Sequence, residues 1–218
     1  MKARYLFLTV LVAAVCGVYA IAQSECSGET MPTHYKEISY PSPNVDSTLR
    51  TEVSGVILHH TAEPTIERSL EVLTSPKRKV STHVCIDTDG TRYIMAQPEQ
   101  VAWHAGASVL NGREGCNKFC IGIEFQGNTL EAPLTDDQIN SAIEYLLPIM
   151  WKYNIEIQNV VTHEMVRQAY KAKYPTRRVY DKVDITQAEY HRFMPRLQAA
   201  YDEYYLNKKR ENIYQPIN

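Results

Sequence analysis

The predicted fold is built around Val56-Ile57-Leu58-His59-His60-Thr61-Ala62. Three consecutive aliphatic residues predict a strand that is buried on both faces. Two histidines stand at the end of this strand, where a rigid backbone can hold a metal ligand accurately. Because adjacent strand residues face opposite sides of a sheet, we do not expect His59 and His60 to share one metal ion.

Residues from three later parts of the chain could meet this strand end. His163 ends a short strand predicted over residues 159–162, and Asp184 lies in a later loop. Glu124 lies near the end of an apolar strand predicted over residues 119–125, and its carboxylate could work beside a metal. Neutral imidazole is the commonest zinc donor, and three protein ligands plus a water form the usual catalytic zinc site.

The length and the first residues set the organisation of the chain. A chain of 218 residues with a hydrophobic fraction of 44% is typical of one domain with a real core. Lys2 and Arg4 precede an uncharged run over residues 5–22, and Ala20-Ile21-Ala22 is a small-x-small cleavage site before Gln23. These features predict a cleaved export signal, hence a periplasmic or secreted protein. A retained or lipidated membrane anchor is the alternative, because the run is close to the minimum spanning length.

The charge of the mature chain argues against nucleic-acid binding. The predicted signal contains two basic residues and no acidic one, which leaves 21 basic and 25 acidic residues and a net charge of −4. A nucleic-acid-binding domain would instead show clustered Lys and Arg residues. We expect a monomer without a nucleic-acid partner.

Four cysteines follow the predicted signal: Cys26, Cys85, Cys116 and Cys120. An oxidising compartment would permit disulfides, but sequence spacing does not give the distances between these residues. Cys85 and Cys120 lie in apolar, strand-like sequence, which favours buried thiols. A cysteine zinc site is disfavoured, because the chain has no Cys-x-x-Cys pair.

Strands and helices alternate along the chain, which predicts an α/β domain with a central mixed sheet flanked by helices. An extended arm over residues 23–50 precedes this domain, which spans residues 51–207, and a tail follows over residues 208–218. Strands are predicted over residues 50–60, 80–87, 91–97, 119–125 and 159–162, and helices over residues 65–73, after Thr135, and from Thr186 to about residue 206. Thr135-Asp136-Asp137-Gln138 and Thr186-Gln187-Ala188-Glu189 are predicted capping boxes.

Several separated blocks resemble the N-acetylmuramoyl-L-alanine amidase type 2 family of zinc amidases, which includes the peptidoglycan recognition proteins. The resemblance covers about residues 55–197. The blocks are Leu58-His59-His60-Thr61-Ala62, Val80-Ser81-Thr82-His83, Asp89-Gly90-Thr91, Trp103-His104-Ala105-Gly106, residues 117–127, Thr162-His163 and Lys182-Val183-Asp184. One block alone would be weak, but their shared order is specific.

The resemblance implies a zinc site formed by His59, His163 and Asp184. Asp181 is a rival for the third ligand, and Asp184 is preferred because it stands two residues after Lys182. The chain departs from the family in two ways. The interval from His163 to Asp184 is longer than in compact bacterial members, and Ile185 replaces a common proline. The resulting insertion, residues 166–179, is predicted to form a helix and loop above the cleft.

The resemblance also implies catalytic roles for Glu124, as proton carrier, and for Lys182, as a cation near the carbonyl oxygen. Trp103 and Arg113 are candidates for contacts with the sugar or peptide of the substrate, and a wall of the fold is an equal alternative for Trp103. His60 is assigned to packing or to the surroundings of the metal ligands, and His83 and His104, which match family positions, are assigned to structure.

We therefore predict an exported zinc amidase that cleaves the bond between N-acetylmuramic acid and L-alanine in peptidoglycan or muropeptides. Two alternatives stay open. One is a binding module of the same fold that does not cut, and the other is a zinc hydrolase that acts on a different peptide amide.

Overall fold

The computed structural model describes residues 35–50, 52–179 and 184–213. Its strands are β1 (Glu37–Ser39), β2 (Gly55–His60), β3 (Val84–Ile86), β4 (Arg92–Ile94), β5 (Val109–Leu110), β6 (Arg113–Glu114), β7 (Cys120–Phe125) and β8 (Val160–Thr162). Its α-helices are α1 (Ile66–Thr74), α2 (Asp136–Tyr153), α3 (His163–Lys173) and α4 (Gln187–Ile213). Short 3₁₀ turns cover Cys116–Lys118 and Ile157–Asn159.

Six strands form one sheet in the order β1-β4-β3-β7-β2-β8, and β5 and β6 form a separate hairpin. The β3–β4 pair is antiparallel and the other neighbours in the large sheet are parallel. The β3–β4 connection turns at Gly90, whose φ of 81° is unfavourable for residues with a side chain. The predicted α/β architecture with a mixed central sheet is confirmed.

One face of the sheet carries the main hydrophobic core. Val56 and Leu58 of β2 alternate with residues of the other face, as the two-residue period of a strand requires. Helices α2 and α4 cover this side, with Leu146 and Phe193 among their fully buried side chains. The core thus fixes the register of β2, because a shift by one residue would place the side chain of His59 in the apolar core.

The other face of the sheet carries a second apolar cluster and the candidate functional residues. Ile57 of β2 packs there with Ala105, Phe119 and Val166. Val166 belongs to α3, and Ala105 and Phe119 lie in the long connection between β4 and β7. The carboxyl ends of β2, β7 and β8 meet beside this cluster, so their terminal residues are brought close together.

The helix starts follow the predicted caps in part. Thr135 and Gln138 form a complete capping box at the start of α2. At α4, the Glu189 backbone N–H donates to Thr186 Oγ1 over 3.4 Å, but the Glu189 carboxylate accepts from the backbone of Leu134. Glu189 therefore connects α4 to the chain before α2, and the second predicted capping box is formed on one side only.

Several predicted boundaries were wrong. The first strong strand begins at Gly55 rather than at residue 50, and α4 continues to Ile213 rather than ending near residue 206. The predicted extended arm contains β1, which pairs in parallel with β4. The helix predicted in the insertion begins earlier, at His163, because Thr162 caps the backbone N–H of Met165. Strand pairing between distant residues decided the bounds of β1 and β2, and local sequence patterns do not report it. The start of α3 instead follows from the local cap at Thr162.

Three predictions lie partly or wholly outside the described residues. These are the export signal over residues 1–22, the first part of the arm and the end of the C-terminal tail. Within the described part of the chain, no helix combines the length and the apolar character needed to cross a membrane.

The buried face of α2 gives a stability test. Leu146 is fully buried, whereas Leu206 of α4 is 57% exposed. We expect Leu146→Ala to lower the free energy of unfolding by about 2–5 kcal/mol, because it removes buried methyl groups and leaves a cavity. Leu206→Ala is the matched control and should change it by less than about 0.5 kcal/mol. Equal losses in denaturant unfolding of the two variants would contradict the assigned core.

Candidate active site

Two imidazoles and one carboxylate converge at the carboxyl edge of the sheet. The side chains of His59, His163 and Asp184 each offer a ligand atom, and these atoms all lie within 4.8 Å of one another. Asp184 Oδ2 lies 3.2 Å from His59 Nδ1 and 2.9 Å from His163 Nδ1. The structure thus brings together the three residues that the sequence predicted as metal ligands.

The backbone of the sheet holds Asp184 in place. Its Oδ1 accepts a hydrogen bond of 2.7 Å from the backbone N–H of His60, and the side chain is fully buried. The other carboxylate oxygen, Oδ2, is thereby turned toward the two imidazoles. His60 itself faces the opposite way, where its Nδ1 accepts from the backbone N–H of Thr129 over 3.1 Å. Its side chain is packed in the interior, as the alternation of strand residues predicted.

A backbone carbonyl fixes the tautomer of His163 directly, and a second backbone carbonyl fixes that of His59 through the ring of His104. His163 Nε2 lies 3.2 Å from the carbonyl oxygen of Ala105, which can only accept, so this nitrogen carries the hydrogen. His104 Nε2 likewise lies 3.3 Å from the carbonyl of Cys120, and His104 Nδ1 lies 3.1 Å from His59 Nε2. Burial lowers the pKa of the His104 imidazole well below its usual value, and the neighbouring imidazoles lower it further. The neutral ring of His104 therefore accepts a hydrogen bond from His59 Nε2.

This hydrogen-bond pattern suits a cation. In both His59 and His163, Nδ1 carries a lone pair, and both lone pairs face an oxygen of the Asp184 carboxylate. Three acceptor atoms at these distances repel one another unless a positive charge lies among them. In a tetrahedral zinc site with bonds of about 2.0–2.1 Å, neighbouring donor atoms lie about 3.3 Å apart. The residues present therefore fit a zinc ion in both chemistry and spacing.

Glu124 lies beside this cluster on the same face of the sheet. In the parallel β2–β7 register, Glu124 is the direct partner of His59, and in the β3–β7 register it is the partner of Cys85. Parallel register partners lie about 4.8 Å apart and point to the same face. The side chain of Glu124 is largely buried and lines a cavity with Thr61, Trp103 and other residues.

Trp103 and Arg113, both predicted to contact substrate, lie in different environments. Trp103 is 42% exposed and borders the cavity that Glu124 lines. Arg113 forms an ion pair of 2.6 Å with Glu52 and lies over the ring of Phe119, near the amino end of β7. The structure therefore brings Trp103 to the cleft and leaves Arg113 at the opposite end of the strands, so contact of Arg113 with substrate stays a prediction without support from its position.

Lys182 and Asp181 lie outside the described residues, so the predicted cation at position 182 and the rival ligand stay untested. The three cysteines in the described part of the chain, Cys85, Cys116 and Cys120, are free and buried. Burial, followed by the charge of Glu124, raises the pKa of the Cys85 thiol well above its usual value, which makes it a poor metal ligand.

Sequence reasoning missed the support of the site by Asn117 and Arg50. Asn117 Oδ1 accepts from the backbone N–H groups of His104 and Ala105, over 3.0 and 2.7 Å. The guanidinium of Arg50 donates to the carbonyl oxygens of Asn117 and Cys120. The sequence indicated a role for Asn117 only through its position at the start of one of the blocks that carry the family resemblance. Nothing in the sequence indicated the role of Arg50, because its partners are backbone groups that are distant in sequence.

The sheet with its helices, and a cluster of two imidazoles and one carboxylate at the carboxyl edge, define an α/β domain with a candidate metal site. Solved structures share this fold: a selenomethionine derivative of AmpD superposes with a TM-score of 0.52 at 24% identity, covering 73% of this chain and 93% of that one. The family model described as N-acetylmuramoyl-L-alanine amidase matches residues 49–184. The chain belongs to this family.

Two curated relatives show how far the similarity extends. The 1,6-anhydro-N-acetylmuramyl-L-alanine amidase AmpD of Haemophilus influenzae is 42% identical over 88 residues, which are 39% of this chain and 46% of that protein. The N-acetylmuramoyl-L-alanine amidase AmiD of Escherichia coli is 25% identical over 159 residues, which are 66% of this chain and 56% of that protein. The chain thus spans about half the length of these relatives.

The buried histidine next to the site generates a prediction on pH. Complete burial, followed by the charge of Arg50, lowers the pKa of His83 to about 3. An unfolded chain protonates this residue below about pH 6.5, so His83 stabilises the fold above that pH and loses this contribution as the pH falls toward 3. In the wild type, the backbone N–H of Gly122 donates to His83 Nδ1 over 2.9 Å. The variant His83→Asn keeps an acceptor for this N–H group and has no titratable side chain at this position.

We expect the free energy of unfolding of the metal-free wild type to fall by about 2 kcal/mol more than that of His83→Asn between about pH 7.5 and pH 5. Denaturant unfolding of both proteins at each pH measures the difference. Parallel pH profiles would show that His83 becomes protonated within the folded state, against its assigned environment.

Proposed function

We propose that this chain is an exported zinc-dependent amidase that hydrolyses the amide bond between N-acetylmuramic acid and L-alanine in peptidoglycan or its fragments. The observation that carries the zinc dependence is the convergence of two imidazole lone pairs on the Asp184 carboxylate, at 3.2 and 2.9 Å. This arrangement of three protein donors suits catalytic zinc, which keeps its fourth position for water or substrate.

The substrate class is supported by the family and by its members. Both curated relatives are named as amidases of the bond between N-acetylmuramic acid and L-alanine. The AmpD name specifies a 1,6-anhydro sugar, and the AmiD name does not. We extend the shared part of these names, the amide bond itself, to this chain.

Zinc held by His59, His163 and Asp184 would supply Lewis acidity to the reaction. The protein's own contribution begins with Glu124, the register partner of His59. In this position its carboxylate accepts a proton from the attacking water and returns it to the nitrogen of the leaving L-alanine. Trp103 forms an apolar wall of the cavity that Glu124 lines, on which a sugar or peptide can pack.

Two further parts of the proposal rest on sequence alone. The family resemblance implies that Lys182 would supply a cation for the carbonyl oxygen and would stabilise the negative charge that develops during attack. The basic start, uncharged run and small-residue cleavage site of residues 1–22 support export to the periplasm or the exterior.

The proposed reaction is tested with a purified muropeptide and with the corresponding free peptide amide. We expect the zinc-loaded chain to release the sugar and a peptide with a free L-alanine amino group from the muropeptide, and to leave the free peptide amide intact. Removal of the metal with a chelator should abolish turnover, and added zinc should restore it. Mass spectrometry identifies the products. Binding of the muropeptide without any product would contradict the proposal, and so would cleavage of both substrates at equal rates.

The role of Glu124 is tested by Glu124→Gln, which keeps the shape of the side chain and removes its basicity. We expect kcat to fall by about 10²–10⁴-fold, because proton transfer is lost, while the zinc content stays at the wild-type level. Glu203→Gln changes an exposed glutamate of α4 in the same way and is the matched control. Retained turnover in Glu124→Gln would remove this residue from the mechanism, and lost zinc would make it a metal-site residue instead.

A further inference from the structure

We propose that His104 is a positioning residue that determines which nitrogen of His59 is presented to the metal. This inference rests on the proposed zinc site and adds a residue that does not itself bind the ion. The contacts that support it run from the metal site through the His104 ring to the backbone of β7.

The first step is a directional chain of hydrogen bonds. The carbonyl oxygen of Cys120 can only accept, so the hydrogen of neutral His104 lies on Nε2, 3.3 Å away. His104 Nδ1 then has a lone pair and accepts from His59 Nε2 over 3.1 Å. His59 consequently holds its hydrogen on Nε2, and its Nδ1 lone pair faces the metal position.

The same short segment orients the second imidazole. The carbonyl of Ala105, the residue after His104, accepts from His163 Nε2 over 3.2 Å. One side chain fixes this segment: Asn117 Oδ1 accepts from the backbone N–H groups of both residues. A single segment therefore sets the tautomers of both histidines, and Asn117 holds the segment in place.

The close approach of the His104 ring requires a glycine on β7. A Cβ atom added at Gly122 would lie 2.6 Å from Cγ of His104, which is closer than such contacts occur. The ring therefore packs directly on the backbone of the strand that also carries Glu124, the register partner of His59. The two sides of the site are in this way tied to one strand.

The physical effect of His104 is to exclude a competing tautomer. A metal-free His59 with its hydrogen on Nδ1 would donate to Asp184 Oδ2, 3.2 Å away, and would hide both donor atoms from the metal. In that tautomer His59 Nε2 and His104 Nδ1 would be two lone pairs at 3.1 Å, which is unfavourable. Loss of the acceptor at position 104 removes this penalty, so the metal must then compete with a hydrogen bond.

Two nearly isosteric substitutions separate this effect from packing. Asn can place its Oδ1 near the position of the imidazole Nδ1 and can accept from His59, whereas Leu has a similar shape and no acceptor. Both substitutions replace the ring over Gly122 by a branched side chain of four heavy atoms, so the volume removed is matched. We expect the zinc dissociation constant of His104→Leu to rise by about 10–100-fold, as is typical for supporting residues of metal ligands, and that of His104→Asn to stay within about threefold of wild type.

Zinc affinity is measured by competition with a chromophoric chelator, and the absorption spectrum of the cobalt-substituted chain reports the geometry of the site. Equal zinc affinities of His104→Leu and His104→Asn would overturn the proposal, whether both match wild type or both are weakened. Asn117 provides a second pair of variants, at a residue outside the contacts with the metal ligands. Asn117→Asp keeps an acceptor for the two backbone N–H groups, and Asn117→Leu does not. The same ordering of affinities is expected for this pair.

The tautomer of His59 is read directly from its imidazole ¹⁵N chemical shifts in the zinc-loaded wild-type chain, which distinguish a metal-bound nitrogen from one that carries a hydrogen. The proposal requires the hydrogen on Nε2 and the metal on Nδ1, and the reverse arrangement would overturn it even if no variant folds. A wild-type chain that binds no zinc would instead contradict the proposed function, on which this inference rests.

Discussion

The site depends on one electrostatic constraint, the approach of two imidazole lone pairs to one carboxylate oxygen. Asp184 Oδ2 lies 3.2 and 2.9 Å from the two Nδ1 atoms, and none of these atoms carries a hydrogen in the tautomers that the surroundings impose. A protein can hold such atoms together only with a positive charge among them. The sheet supplies the rigidity, because Asp184 Oδ1 is bound by the backbone N–H of His60 at the end of β2.

The register of the sheet connects this constraint to the proposed chemistry. The hydrophobic core fixes β2 so that Val56 and Leu58 face the helices, and His59 must then face the other side. The parallel pairing with β7 places Glu124 beside His59. A proton carrier and a metal donor thus become neighbours through strand pairing alone, although 65 positions separate them in the sequence.

Much of this arrangement could be predicted from the sequence. The contacts that could not be predicted depend on features that a single sequence does not record. The aliphatic run before His59 predicts the buried strand, and the alternation of strand residues separates His59 from His60. The choice of Asp184 came from the family resemblance, since the loop that carries it has no periodic pattern. The links from His104 to His59 and from Asn117 to the following backbone join distant residues through single hydrogen bonds, which leave no pattern in one sequence. The prediction for Arg113 considered its residue type and could not include its ion pair with Glu52.

X-ray absorption spectroscopy of the zinc-loaded chain at the zinc edge shows directly which atoms bind the ion. We expect a first shell of nitrogen and oxygen atoms at about 2.0–2.1 Å, with the outer-shell scattering of two imidazole rings. Sulfur at about 2.3 Å would contradict it, because it would place a cysteine on the metal. Scattering from three imidazoles would contradict it as well, because His104 would then be a ligand rather than the acceptor that orients one.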